Sequence, residues 1–288
     1  MSISDPAPLA DDDLAARLAL LDRQLRGYDG VLVAFSGGAD SAFLLAAAVH
    51  ALGPSKVGAA TAVSASLADG ELALASRFAA DLGVRHERPR TDEMSRPGYR
   101  ANAANRCYFC KSELLDVLLP VAQRLRLHLV ATGTNADDGV AGFRPGIRAA
   151  AERGAVTPLL DSGLTKAQVR AASRAWGLPT WDKPAAACLS SRVAYGIDIT
   201  PARLARVDRA ESALRAALAR DGIAVRDLRV RDLGPDGARV EIDADLVAVV
   251  SARPDLLDAV RGFPAVRLDP RGFRSGSMNE LLPSQVVE

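Results

Sequence analysis

The chain predicts an α/β protein: a doubly wound parallel sheet followed by a smaller α+β domain. Three observations carry this. Short, continuously apolar runs alternate with stretches of helical length as far as about Trp176. Strands buried on both faces of a parallel sheet give such runs, and right-handed crossovers account for the alternation. After about Thr200 the pattern changes to one long helix and two strands paired around Gly234-Pro235-Asp236-Gly237. With 288 residues there is room for both, and the division is placed at 1–195 and 196–288.

Taken in order, Leu14 to Leu25 is a short amphipathic helix closed by the turn Gly27-Tyr28-Asp29-Gly30. Val31 to Phe35 is the first buried strand, and a glycine-rich turn leads into a helix from about Ser41 to Leu52. Val57 to Val63 is the second strand, Glu71 to Leu82 a helix stopped by Gly83, and Val84 to Arg88 the third strand. Cys110 to Arg126 is helical, Leu127 to Thr132 is the fourth strand, and Lys166 to Trp176 is a helix ended by Gly177 and Pro179. In the second domain Pro201 to Arg220 is the long helix, Val225–Arg231 and Ala238–Ile242 are the paired strands, Asp255 to Arg261 is a helix, and a last strand lies near Ala265 to Leu268.

The bulk numbers exclude several classes. The formal net charge of +1 gives no dedicated nucleic-acid surface. No apolar run approaches the ~20 residues that cross a bilayer, and the opening MSISDPAPLADDD is too acidic and polar for a signal or transit peptide. A cytoplasmic location is expected. Three cysteines are too few, and odd in number, for a disulfide framework.

The strongest chemical signal is Ser36-Gly37-Gly38-Ala39-Asp40-Ser41, between the first buried strand and a helix. Two glycines allow a tight turn and close approach of backbone to ligand, while the helix offers unpaired N–H groups to an anion. Ser36 and Ser41 add hydroxyls, and Asp40 suits Mg²⁺ or the capping of the turn. The plain alternative is a capped βα turn; the full string in this setting points to phosphate. The second signal is Thr132-Gly133-Thr134-Asn135-Ala136-Asp137-Asp138, at the end of the fourth strand. Asp137 and Asp138 supply hard oxygens for a nucleotide's Mg²⁺, or else make an Asx-rich turn. Both strings fall on the sheet edge where such folds bind ligands. The third signal is Cys107 and Cys110 in Asn105-Arg106-Cys107-Tyr108-Phe109-Cys110-Lys111, with Cys188 standing apart. Three thiolates suit a 4Fe-4S cluster with one iron free of protein ligands. A zinc site completed by His50, His86 or His128, a redox dithiol, and three inert thiols stay open by spacing alone.

The string at 36–41 resembles the PP-loop of the ATP pyrophosphatase superfamily, which includes NAD synthetase and tRNA thiolation enzymes. That resemblance implies cleavage of ATP to AMP and pyrophosphate with adenylation of a substrate oxygen. The cysteine segment, Gly163-Leu164-Thr165-Lys166, Trp176 to Pro184, Ala187 to Arg192 with Tyr195-Gly196 and Ile199-Thr200, and Arg271 to Ser277 resemble the LarE family over nearly the full length. The resemblance implies ATP-dependent sulfur transfer onto pyridinium-3,5-biscarboxylic acid mononucleotide, whose carboxylates become thiocarboxylates for the nickel-pincer cofactor of lactate racemase. It implies ATP, Mg²⁺, a sulfide donor and a homo-oligomer. Of the family's two variants, the three cysteines match the one whose 4Fe-4S cluster carries sulfide, while Cys188 also matches the position of a sacrificial cysteine. By the same resemblance Ser191, Arg192, Glu211, Arg229 and Arg231 hold the substrate's phosphate and carboxylate, with Asp245 loosely placed beside them. From pattern alone Arg229 and Arg231 read equally as a charged edge-strand face. Arg144 and Arg148 are cations for the substrate or pyrophosphate, or solvated surface arginines, and Trp176 and Trp181 are packing residues. Three rival readings are a tRNA thiolation enzyme, a nucleotide-binding regulatory protein without turnover, and amide formation with ammonia as in NAD synthetase, which has no use for the cysteines.

Overall fold

The structure, a computed structural model, describes residues 12–68, 70–140, 144–184, 187–274 and 276–281. Most of the N-terminal stretch read against targeting signals lies outside these, as do Ala185, Ala186 and Ser275 of the quoted strings. In chain order the elements are α1 (Asp12–Arg26), β1 (Val31–Ala34), α2 (Ala39–Leu52), β2 (Val57–Ala60), α3 (Glu71–Asp81), β3 (Arg85–Glu87), α4 (Pro97–Arg100), α5 (Arg106–Arg124), β4 (Leu129–Thr132), α6 (Ala136–Val140), α7 (Pro145–Glu152), α8 (Pro158–Asp161), α9 (Lys166–Ala175), α10 (Pro201–Arg220), β5 (Leu228–Asp232), β6 (Ala238–Ile242), α11 (Val247–Ser251) and β7 (Val266–Leu268). They form two compact units. One comprises Met1–Ser64, Gly70–Glu93 and Cys107–Ala186; the other comprises Ala65–Asp69, Met94–Arg106 and Ala187–Glu288.

The first unit is built on a four-stranded parallel sheet in the order β3-β2-β1-β4. Alternation along β1 sends Val31 and Val33 to one face and Leu32 to the other. Val31 and Val33 pack with α2, α3 and α9, whereas Leu32 joins Leu115, Leu118 and Val121 of α5. α2 carries apolar residues all round and is almost wholly buried, packed against α1 and α9 as well as the sheet. The chain runs outward from β1 through β2 to β3, then returns to lay β4 along the other side of β1. The strand order reverses between β1 and β4, and a crevice opens outside the carboxyl ends of strands at such a point.

In the second unit β5 and β6 are antiparallel, and β7 joins β6 in parallel. α10 begins with Pro201 after Thr200, whose hydroxyl accepts from the Arg203 amide, and its Leu214 and Leu218 pack on Leu228, Val230 and Val240. The earlier segment 94–106 belongs here because the buried Asn102 carboxamide donates to the carbonyls of Ala194 at 2.8 Å and Ile197 at 2.9 Å.

Three expectations are corrected. The helix read from Cys110 begins at Arg106, because Arg106 is buried and donates to Asn102 at 2.5 Å and to the Ser190 carbonyl at 2.9 Å, which fixes the first turn. Asp137 and Asp138 sit in the short helix α6 rather than in an open turn. The helix at Asp255 to Arg261 is a 3₁₀ turn over Pro254–Ala259. Among the described residues no helix is long and apolar enough to cross a membrane.

Candidate functional site

In the first unit, Gly37 turns the loop after β1 with φ +74°, a conformation that favours glycine. Ser36 is exposed, and its Oγ lies 3.1 Å from Ser41 Oγ, which also donates to the Gly38 carbonyl at 3.1 Å. Gly38 is the N-cap of α2 and offers no side chain to the first-turn amides, so the helix keeps N–H donors for an anion. Gly133, just past β4, lies against this turn: a Cβ there would come 2.9 Å from Ser41 N and 3.1 Å from Asp40 C. The two motifs on adjacent strands therefore meet at the switch point.

Two lysines flank the loop. Lys183 Nζ donates to the Gly37 carbonyl at 3.0 Å and to Glu71 Oε2 at 2.7 Å. Lys166 Nζ pairs with Asp40 Oδ2, while Asp40 Oδ1 is buried with no hydrogen-bond partner. Asp137 is exposed and accepts the Lys166 amide at 2.8 Å. Asp138 and Asn135 exchange backbone-to-side-chain bonds at 3.3 and 3.1 Å, and Arg144 reaches Asp138 at 3.6 Å. The bonds between Asn135 and Asp138 cap the start of α6, and a carboxylate oxygen without a hydrogen-bond partner is found at Asp40.

Cys107 is exposed and Cys110 half-exposed. Three residues apart on the first turn of α5, they share a helix face. Burial pushes the Lys111 ammonium down from its ordinary value, against the pull of Cys110, Cys107 and Asp138. Cys188 belongs to the second unit and is exposed; its carbonyl accepts from the Ser191 amide and hydroxyl at 3.0 and 2.8 Å. Soft thiolates suit an iron–sulfur cluster, and Cys107 and Cys110 supply two on one face. Among the described residues, however, no group of three or more His, Cys, Asp or Glu side chains is placed to hold a metal ion. His86 bonds to Thr61, and His50 lies against the Trp176 ring.

The second unit concentrates buried charge. Arg192 makes a two-pronged pair with Glu211 at 3.0 and 3.2 Å, and Glu211 also accepts the Val230 amide at 3.0 Å. Arg231 binds Glu241 at 2.7 Å, with Arg239 and Ser277 on the same carboxylate. Arg229 is 5% exposed, lies over the Phe273 ring and donates to the Leu228 carbonyl. Its burial, and then the Arg192 charge, push its guanidinium down to about 10, against the pull of Glu211. β5 is an edge strand, yet Arg229 and Arg231 are both buried on it, so the solvated-edge reading fails. Guanidinium groups held together out of water favour an anion. Ser191 flanks the cluster, whereas Asp245 is exposed on a separate turn.

No family model matches the chain. It is 42% identical over 274 residues to an uncharacterised protein of Synechocystis, covering 93% of this chain and 99% of that one. It is 33% identical over 272 residues to the pyridinium-3,5-bisthiocarboxylic acid mononucleotide synthase of Lactiplantibacillus plantarum, covering 93% of this chain and 96% of the synthase. The chain belongs to the LarE family. An uncharacterised protein of Methanocaldococcus jannaschii is 26% identical over 176 residues, 60% of this chain and 66% of that one.

As a LarE protein the chain holds its expected loop residues Ser36, Gly37, Gly38, Asp40, Ser41 and Gly133 in one place, and its expected arginines in another. Sequence reasoning missed Lys166, Lys183 and Glu71. Both lysines stand inside strings that carry the LarE resemblance, Gly163 to Lys166 and Trp176 to Pro184, but neither string says which loop a lysine will reach. Arg144 and Arg148 are exposed, Arg148 lying over the Tyr108 ring at 4.8 Å. Trp176 packs on Phe43 in the core, as expected, whereas Trp181 is exposed with Arg174 over its ring.

Proposed function

We propose that this chain is an ATP-dependent sulfur transferase that converts the carboxylates of pyridinium-3,5-biscarboxylic acid mononucleotide to thiocarboxylates. The observation that carries the reading is the loop Ser36 to Ser41 at the sheet's switch point, in a chain 33% identical to a synthase named for the bisthiocarboxylic product. A carboxylate resists substitution because its leaving group would be oxide. The loop binds the phosphates of ATP with the α2 amides and the Ser36 and Ser41 hydroxyls, a substrate carboxylate oxygen attacks the α-phosphorus, and pyrophosphate departs. A sulfur nucleophile then attacks the acyl carbon and AMP leaves with the former carboxylate oxygen. Asp40, with Asp137 and Asp138, would hold Mg²⁺, which when bound supplies charge neutralisation for the leaving pyrophosphate. Arg192, Arg229 and Arg231, with Ser191 and Glu211, would receive the substrate's phosphate and carboxylate. The location is cytoplasmic and the assembly a homo-oligomer in the same reading.

Cys107, Cys110 and Cys188 would hold a 4Fe-4S cluster, which when bound supplies an iron for a transferable sulfide. A second reading is favoured by the exposure of Cys188: it gives up its own sulfur. Incubation of anaerobically purified protein with MgATP and the pyridinium nucleotide, analysed for nucleotides, iron and protein mass, tests both. AMP and pyrophosphate formed only when the pyridinium nucleotide is present support the enzyme; ADP, or no turnover, contradicts it. Iron near four per chain with an intact Cys188 supports the cluster, and loss of one H₂S from Cys188 supports the sacrificial route.

A further inference from the structure

We infer that Tyr99 is a positioning residue for sulfur delivery: its hydroxyl, acting through Ser190, sets the turn that presents Cys188. The inference rests on the sulfur-transfer reading above and serves either sulfur route, since both use Cys188. Cys188 is exposed and is the N-cap of the 3₁₀ turn Leu189–Arg192 in the second unit. An exposed thiol is aimed mainly by the backbone beneath it, so its precision depends on what holds that backbone.

The turn is gripped from the earlier segment 94–106 of the same unit. Tyr99 is 0% exposed, and its hydroxyl shares a hydrogen bond with the hydroxyl of Ser190, also 0% exposed. Arg106 donates to the Ser190 carbonyl at 2.9 Å, and the Leu189 amide donates to the Ser66 carbonyl at 2.9 Å. The Cys188 carbonyl accepts from Arg192 at 3.1 Å as well as from Ser191. Stability alone does not call for the Tyr99–Ser190 pair. Two hydroxyls buried together lose their hydration, and phenylalanine with alanine would fill the space at nearly the same free energy. What the pair adds is direction: a buried hydrogen bond fixes a separation and an angle that apolar packing leaves free.

Adenylation at the loop 36–41 does not use Cys188, which gives a selective test. A misplacement of about 1 Å at a reacting group costs on the order of 100-fold in rate. Full-length wild type, Y99F, S190A and Y99F/S190A are purified anaerobically and mixed with MgATP, the pyridinium nucleotide and a sulfide source. Single-turnover sampling follows pyrophosphate release and thiocarboxylate formation separately, alongside melting curves and amide hydrogen exchange. Thiocarboxylate formation should be ~10- to 100-fold slower in Y99F and in S190A, with pyrophosphate release unchanged and faster exchange over 188–193. The double variant strands neither hydroxyl, so it should regain the melting temperature lost by each single variant while its sulfur step stays slow. Wild-type thiocarboxylate formation in Y99F, equal slowing of both steps, or a sulfur step that recovers with stability in the double variant would make the bond purely structural and overturn the inference. Should the wild type release no pyrophosphate or form no thiocarboxylate, the sulfur-transfer reading itself falls and takes the inference with it. S190A breaks the same bond from its other end, so it replaces Y99F if that variant does not fold.

Discussion

Lys183 donates from Nζ to the Gly37 carbonyl at 3.0 Å, so a residue 146 positions away ties down the glycine turn after β1. The same ammonium neutralises Glu71. K183A leaves an unpaired carboxylate beside the proposed phosphate site, and should lower stability by about 1–2 kcal/mol and weaken ATP binding. Adding E71Q to K183A removes that carboxylate and should recover much of the ATP affinity. Denaturant unfolding and ATP titration of both variants check this.

Gly133 is required by contact rather than by its dihedral angles. An added Cβ would lie 2.9 Å from Ser41 N and 3.0 Å from Ser41 Cα, and neither backbone atom can move without shifting the first turn of α2. G133A should cost about 1–3 kcal/mol of stability by overpacking and should impair ATP binding along with it.

His86 gives the fold an acid sensitivity. Thr61 Oγ1 donates to the Phe35 carbonyl at 2.7 Å, so it accepts from His86 Nε2 at 2.8 Å, and the buried Nδ1 is left without a partner. Protonation would place a second N–H there. Burial, aided by the Arg88 charge, pushes the imidazole below its ordinary 6.5, with Glu87 opposing. The unfolded chain therefore takes up the proton first as pH falls through 6.5. Stability from this group is fully present above that value and declines below it. Melting temperatures should fall between pH 7 and pH 5 (about the range of histidine titration), and H86Q should flatten the decline.

Glu211 neutralises Arg192 and also accepts the Val230 amide in the core of the second unit. E211Q leaves Arg192 buried beside Arg229 without its carboxylate and should cost about 3 kcal/mol, since breaking a buried pair strands the other charge. Equilibrium unfolding measures it; a loss below ~0.5 kcal/mol would mark the pair as solvated.

Much of this was legible in the sequence. Val31 to Phe35 and Leu127 to Thr132 could be read as parallel strands because both faces are covered, and the string from Ser36 to Ser41 carries its own backbone chemistry. The pairing of Val225–Arg231 with Ala238–Ile242 followed from the turn between them. What was not legible depends on long-range packing. The attachment of 94–106 to the second unit rests on Asn102, a residue with no periodic signal. The short helices α6, α7 and α8 are too brief to show a helical repeat. Lys166 and Lys183 act through loops 126 and 146 residues away, and local pattern cannot report a partner at that separation.

The central claim is that the phosphate loop turns a carboxylate oxygen into a leaving group that sulfur displaces. It is tested most directly by supplying the pyridinium nucleotide with heavy oxygen in its carboxylates, together with MgATP and a sulfide source. Mass spectrometry of the products should find one heavy oxygen in each AMP released and sulfur in its place on the substrate. AMP free of the label, or a thiocarboxylate formed without AMP, would contradict the account.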